Sequence, residues 1–310
     1  MKYYITVDGG TTNTRLYLVR DGVILDTEKL SIGSGSRKGE QEALRIAVKD
    51  AVSALLFRNS LTEGDVERIL ASGMITSEFG LYELPHLTLP TGIGELHNGK
   101  KETVLSDISP IPFVFLPGVK TAGADIATLD VMRGEETELY GLTDTPEADA
   151  VYVLPGSHCK LVYTDESSRI RDFQTTLTGE MIAALSGNTI LKDAVDLSTE
   201  AVDSEGLFAG YALCAEKGIN QALFKVRVLK NKLGRSKEYV YGFFMGVILQ
   251  AEVENICAAN AKKVIIGGKK QIREALRLLL EKHCRAEILS LDDNTVNAAT
   301  VRGAVKIYEA

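Results

Sequence analysis

Two stretches of the chain share one plan, and that repetition limits what the chain can fold into. "YITVDGGTTNTRLYLV" (residues 4–19) and "AVYVLPGSHCKLVYT" (residues 150–164) each run apolar strand, glycine turn with a polar cluster, apolar strand. At the first, Tyr3–Val7, Thr14–Val19 and Val23–Glu28 read as three antiparallel strands, joined by turns at Asp8-Gly9-Gly10 and Asp21-Gly22. The helical stripe Leu44, Val48, Val52, Leu55 follows, and then a short buried strand over residues 67–72. At the second, "RIRDFQT" supplies a third strand. Further on, "KKVIIGGKKQIREALRLLLEK" gives a strand, a glycine turn and a long helix. The chain therefore reads as α/β with two similar halves, although the halves share little sequence. The expected division is an N-terminal domain over 1–146, a second domain over 147–295, and a terminal helix, 296–310, packing back on the first. Ligands are expected in a cleft between the halves.

At 310 residues with 45% hydrophobic content, there is material for two cores. No apolar run approaches the ~20 residues that span a bilayer, and no signal peptide is read at the start, so a cytoplasmic protein without membrane partners is expected. A net charge of −7 argues against a nucleic-acid partner. The four cysteines, Cys159, Cys214, Cys257 and Cys284, are scattered without a C-x-x-C pair and read as reduced thiols. The few histidines show no zinc spacing.

In "DGGTTN", Gly9 and Gly10 let the backbone turn sharply, while Thr11, Thr12 and Asn13 add donors. Successive N–H groups in such a turn can cradle phosphate oxygens. Asp8 would repel phosphate unless a divalent cation lies between them, and Mg²⁺ takes oxygen ligands while keeping several waters. The stretch reads either as a nucleotide–Mg²⁺ hairpin, with Asp8 holding the metal through water, or as an ordinary turn. It is neither a P-loop nor a dinucleotide fingerprint. Gly156, Ser157 and His158 form the equivalent tip in the second half, with Lys160 just beyond. Gly267 and Gly268 make a third glycine turn, suited to the approach of a nucleoside.

Several blocks together carry a resemblance. "VDGGTTNTR", "ASGMITSEFGLYELPHLTLPTG", "LPGVKT", "DVMRGEETEL", "LPGSHCKLV" and "DFQTTLTGEM" look like the 2-dehydro-3-deoxygalactonokinase family of the actin/hexokinase/sugar-kinase superfamily. The match is strong over about residues 3–190. It departs at Gly9, where a bulkier residue is expected, and residues 195–260 carry no motif that can be placed. The resemblance implies two ribonuclease H-like (actin-like ATPase) domains with an interdomain cleft. It also implies ATP and Mg²⁺ as cofactors, and phosphorylation of the 6-hydroxyl of a small sugar acid, 2-dehydro-3-deoxy-D-galactonate. Homo-oligomerisation stays open.

Such a kinase needs a carboxylate to aid the attacking hydroxyl. Asp130 is the first choice, read as a helix cap that opens "DVMRGEETEL". Glu135 and Glu136 are rivals, whose plain reading is a solvated helix face, and Asp125 is a weaker one. Arg133, three residues on from Asp130 and on the same helical face, is a candidate for substrate or phosphate. Thr76, Ser77 and Glu78 in "SGMITSEFG" suit sugar hydroxyls, and Thr91 in "LPTGI" is a further lining candidate. His86 reads as structural. Lys120, Arg133 and Arg37 are the cations available to the substrate carboxylate. Two alternatives remain: another small-molecule kinase of the superfamily (for 2-dehydro-3-deoxygluconate, an amino sugar or pantothenate), or a non-catalytic nucleotide sensor.

Overall fold

In the first half, alternating apolar residues set β1 (Tyr3–Gly9), β2 (Thr14–Arg20) and β3 (Val23–Leu30) into an antiparallel ribbon. Its register places Asp8 opposite Arg15 and Gly9 opposite Thr14. The second turn uses Asp21 and Gly22 at positive φ, the backbone hand that tight hairpins require. Then α1 (Glu40–Arg58) crosses over to β4 (Val66–Gly73), which runs parallel to β1 with Gly73 opposite Gly9. The computed structural model describes residues 2–35, 40–199 and 201–310, so Arg37 lies outside the described residues.

Short elements follow: β5 (Leu87–Thr88), α2 (Ile93–Gly99), β6 (Lys101–Thr103), β7 (Phe113–Phe115), β8 (Val119–Lys120), β9 (Val131–Met132) and α3 (Glu135–Leu142). The main sheet has the order β3-β2-β1-β4-β7-β6, and β5-β8-β9 form a small one. Ile5, Val7, Leu16 and Leu18 pack with Leu44, Val48, Val52 and Leu55 of α1, the expected stripe.

The second half repeats the ribbon as β10 (Ala150–Leu154), β11 (Cys159–Thr164) and β12 (Ile170–Thr176). Helices α4 (Thr178–Asn188), α5 (Ser204–Lys217), α6 (Ile219–Asn231) and α7 (Lys237–Ala258) lead to β13 (Lys263–Ile266). After these come α8 (Lys270–His283), β14 (Glu287–Ser290) and α9 (Asp293–Glu309). The sheet order is β12-β11-β10-β13-β14, with β13 parallel to both β10 and β14. Helix α7 is apolar over residues 240–249, and its Val240, Phe244, Val247 and Val253 join Val151, Val153 and Leu161 in one core.

Backbone proximity divides the chain into two units. One comprises Met1–Ala148, Asp165–Asp172 and Asn294–Ala310, and the other Asp149–Thr164 and Phe173–Asp293. Within the first, Ile170 bridges to Thr91, and the Tyr4 hydroxyl donates to Glu309 of α9 at 3.0 Å. Glycine lets α9 lie against α3, because a Cβ on Gly303 would strike the Thr137 carbonyl.

Two sequence expectations are corrected here. Cys257 and Cys284 form a disulfide joining the end of α7 to the residue after α8, with Cα atoms 5.0 Å apart, while Cys159 and Cys214 are free. The spacing hid the pair because the two cysteines are 27 residues apart, a separation that only the α7–β13–α8 crossover closes. Asp130 does not cap a helix. It precedes β9, and α3 begins at Glu135 with Gly134 at its cap. Gly134, at φ 117°, breaks the run where the sequence suggested continuity.

Candidate functional site

In the first unit, the site residues converge through three glycines. Gly9 ends β1, Gly73 ends β4 and Gly134 precedes α3. A Cβ on Gly73 would sit 2.5 Å from the Gly9 carbonyl oxygen, and one on Gly134 would sit 3.1 Å from Gly73 Cα. A Cβ on Gly9 would meet Ile75 Cβ at 2.6 Å, which accounts for the absence of a bulkier residue there. This stack brings Asp8, the segment Met74–Ser77 and the segment Arg133–Glu138 to the same strand ends.

The Asp8 turn is closed by Gly10 N–H donating to the Asn13 carbonyl at 2.9 Å. Ser34 N–H donates to the Gly10 carbonyl at 3.0 Å, and Gly33 fits where a Cβ would strike the backbone of residues 10–12. Thr11, Thr12 and Asn13 are exposed at the tip. Asp8 is half-buried and lies 3.5 Å from the Arg15 guanidinium. Burial pushes its carboxyl pKa up, and the Arg15 charge opposes that. Among the described residues, no group of three or more His, Cys, Asp or Glu is placed to hold a metal ion. A Mg²⁺ at Asp8 would therefore complete its shell with water and phosphate oxygens, which suits that ion.

Arg133 lies before the helix, not on its face as the sequence suggested. Its guanidinium donates to the Thr76 carbonyl at 2.9 Å, to Thr76 Oγ1 at 2.6 Å and to the Leu84 carbonyl at 2.8 Å. His86 Nδ1 is 3.3 Å away. Burial first, then the Arg133 and Lys120 charges, lower the His86 pKa to about 4, so its ring is neutral at physiological pH. Thr76 is buried, and its hydroxyl donates to the Gly73 carbonyl at 3.0 Å. The Ser77 hydroxyl donates to the Met74 carbonyl at 2.6 Å, whereas Glu78 is exposed. Thr91 is buried and exchanges both backbone hydrogen bonds with Ile170.

Asp130 is half-buried beside the small sheet. Its N–H donates to Thr121 Oγ1 at 2.8 Å, and its Oδ1 accepts from Val131 N–H at 2.7 Å. Asp125 is tied into its own loop by Ala127 and Thr128. The acids of α3 depart furthest from the sequence reading. Glu136 is fully buried rather than on a solvated face, and both its oxygens accept from Gly134 N–H, at 2.9 and 2.8 Å. Burial and the Glu135 charge raise its pKa to about 7. Glu138, missed in the sequence, is raised to about 8 by burial and then by the charges of Glu135, Asp8 and Glu136. The i, i+3 spacing of Glu135 and Glu138 was the available signal.

In the second unit, Gly156, Ser157 and His158 occupy the β10–β11 turn as expected. Gly267 N–H donates to the Val153 carbonyl at 2.9 Å, and Gly268, at φ 70°, packs on the Pro155 backbone. The two glycine turns are thus adjacent. His158 Nε2 is 2.9 Å from Glu180 Oε1. Lys160 is buried within β11, and its Nζ donates to Thr175 Oγ1 at 2.6 Å. Sequence reasoning missed Glu252, a carboxylate on helix α7 that accepts from the Thr176 and Thr178 hydroxyls.

Comparison with known proteins adds to this geometry. The model of the 2-keto-3-deoxy-galactonokinase family matches residues 8–307. The chain is 29% identical over 259 residues to 2-dehydro-3-deoxygalactonokinase of Escherichia coli (strain K12), covering 82% of this chain and 80% of that one. A solved structure assigned as a 2-dehydro-3-deoxygalactonokinase from Sinorhizobium meliloti superposes with a TM-score of 0.76 at 22% identity, over 99% of this chain and 100% of the other. The activator of the 2-hydroxyisocaproyl-CoA dehydratase from Clostridium difficile, solved with bound ADPNP, superposes at 0.52 with 14% identity, over 99% and 95%. The fold is that of the actin-like ATPase and sugar-kinase group. No described helix is long and apolar enough to cross a membrane.

Proposed function

The chain belongs to the 2-keto-3-deoxy-galactonokinase family, a family of phosphotransferases with alcohol acceptors, and from that premise we propose that it transfers the γ-phosphate of ATP to the 6-hydroxyl of 2-dehydro-3-deoxy-D-galactonate. The observation that carries the reading is the match over residues 8–307, which takes in the Asp8 turn, the Gly134 junction and the Gly156 turn. In the first unit, Asp8 holds Mg²⁺ through water, and Gly9, Gly10, Thr11, Thr12 and Asn13 offer their donors to phosphate oxygens. In the second unit, Gly156, Ser157 and His158 form the other phosphate-facing turn, Lys160 stands behind it on β11, and Gly267 and Gly268 admit the nucleoside. Bound Mg²⁺ would neutralise charge on the phosphates.

Asp130 takes the proton of the attacking hydroxyl. Ser77 and Glu78 line the sugar side, and the buried Thr76 and Thr91 hold the backbone behind them. The guanidinium of Arg133 orders Thr76 through the bonds described above and is the cation offered to the substrate carboxylate. A kinase using ATP and a small sugar acid fits a cytoplasmic setting. The test is product identification by phosphorus and carbon NMR after incubation with ATP, Mg²⁺ and the sugar acid. One new phosphomonoester at C6 is expected, dependent on Mg²⁺ and lost in Asp130→Asn. A phosphate on another carbon, or none, would overturn the assignment.

A further inference from the structure

The block "DFQTTLTGEM" is not used by the proposed reading, yet it joins two buried charges at the Gly156 turn. Lys160 is 5% exposed and donates to Thr175 Oγ1 at 2.6 Å. Glu252 is 3% exposed, and one oxygen, Oε1, accepts from both Thr176 Oγ1 and Thr178 Oγ1. The buried thiol of Cys159 on β11 is a further hydrogen-bond donor to the same carboxylate. A carboxylate buried in an apolar core is costly even when hydroxyls and a thiol bond it, so its retention calls for a purpose beyond packing.

The geometry supplies that purpose. Thr176 ends β12 and Thr178 opens α4, with exposed Leu177 between them. The next residue, Gly179, is pressed so close to the turn that a Cβ would strike the Gly156 carbonyl and Ser157 Cα. Glu180 N–H then donates to the Ser157 carbonyl at 3.1 Å, and its carboxylate meets His158. The start of α4 therefore sets the shape of the turn, and Glu252 sets the start of α4.

We infer that Glu252, through the hydroxyls of Thr176 and Thr178, is a positioning residue that fixes the Gly156–His158 turn in the conformation that receives nucleotide phosphates. It touches no ligand itself. Lys160 holds the same segment from β11 through Thr175, so residues 175–178 are clasped between a buried cation and a buried anion. This inference rests on the nucleotide assignment proposed above.

The test is calorimetric titration of the full chain with the non-hydrolysable analogue AMP-PNP and Mg²⁺, without sugar acid. Thr178→Val and Glu252→Leu should each weaken binding about tenfold, the scale of a lost hydrogen bond to a charged group. Thr178→Ser, which keeps the hydroxyl, should stay within about twofold. The KM for the sugar acid should not move in any of them. If Glu252→Leu does not fold, Thr176→Val carries the same expectation. Affinity unchanged in Thr178→Val, or lost equally in Thr178→Ser, would overturn the inference. So would a lower melting temperature with unaltered affinity, which would mark a purely structural role. Nucleotide binding without sugar-acid turnover would remove the kinase reading and leave the clasp standing. Normal turnover with unmoved nucleotide affinity in Thr178→Val would do the reverse.

Discussion

Replacing Gly73 with alanine tests whether the three-glycine stack holds the first unit together. Gly73 has φ 79° and ψ −155°, a region that is essentially open only to glycine. Holding alanine there costs about 1–3 kcal/mol. Its Cβ would also sit 2.5 Å from the Gly9 carbonyl oxygen, within a joint that Gly134 closes from the other side. Such overpacking adds about 1–3 kcal/mol. The sum, about 4 kcal/mol, is a large share of the ~5–15 kcal/mol that holds a domain folded. Gly22 is the internal control, since it has the same φ of 79° but nothing within 4 Å of an added Cβ. Its alanine variant meets only the left-handed penalty, about 1 kcal/mol after the stiffening of the unfolded chain is counted. Urea unfolding of both variants, followed by near-ultraviolet signals, reads the difference. Gly73→Ala should lose at least ~2 kcal/mol more than Gly22→Ala. Equal losses would refute the crowding argument, because backbone hand alone would then account for both.

Three further outcomes follow from the same geometry. Glu136 is buried with its pKa raised to about 7, so its protonated form favours the fold. The stability it contributes is full below about pH 4.5 and is lost as pH rises through about 7. Glu136→Gln should therefore be more stable than the parent at pH 8, by roughly 3 kcal/mol, in urea titrations at several pH values. His86 has the opposite sign, because its folded pKa is lowered to about 4. As pH falls from about 6.5 to about 4 it withdraws stability, and His86→Asn should flatten that acid limb of the same titration. Cys257 and Cys284 close a loop across 27 positions, so reduction or Cys257→Ser should cost the second unit about 3–4 kcal/mol, read as a lower thermal midpoint.

The sequence made the ribbons legible because strand alternation and glycine turns are local signals. The two hairpins, α1, β4, β13 and the terminal helix all stand close to where periodicity put them. The boundary at Gly134 was not legible. "DVMRGEETEL" is compatible with an unbroken helix until Gly73 is found against Gly134, a contact between residues 61 positions apart. For the same reason Glu136 passed for a surface acid. Its helix is pressed between Gly73 of β4, against Gly134, and Gly303 of α9, against Thr137, neighbours that the local pattern does not contain. Arg133 was singled out for its charge, but its acceptors lie on Thr76 and Leu84, which only the fold brings near. Glu252 was invisible because it stands among Gln250, Glu254 and Asn255 in the polar last turns of α7, where one more acid reads as surface.

The central claim is tested most directly by initial rates of ADP release from purified protein with ATP and Mg²⁺. The three conditions are 2-dehydro-3-deoxy-D-galactonate, its gluconate epimer, and no sugar acid. The account predicts rapid release with the galactonate form, stoichiometric with its consumption, and little release in the other two, since a site built to bond one hydroxyl rejects its inversion strongly. ADP release no faster with the galactonate form than in the blank would contradict it.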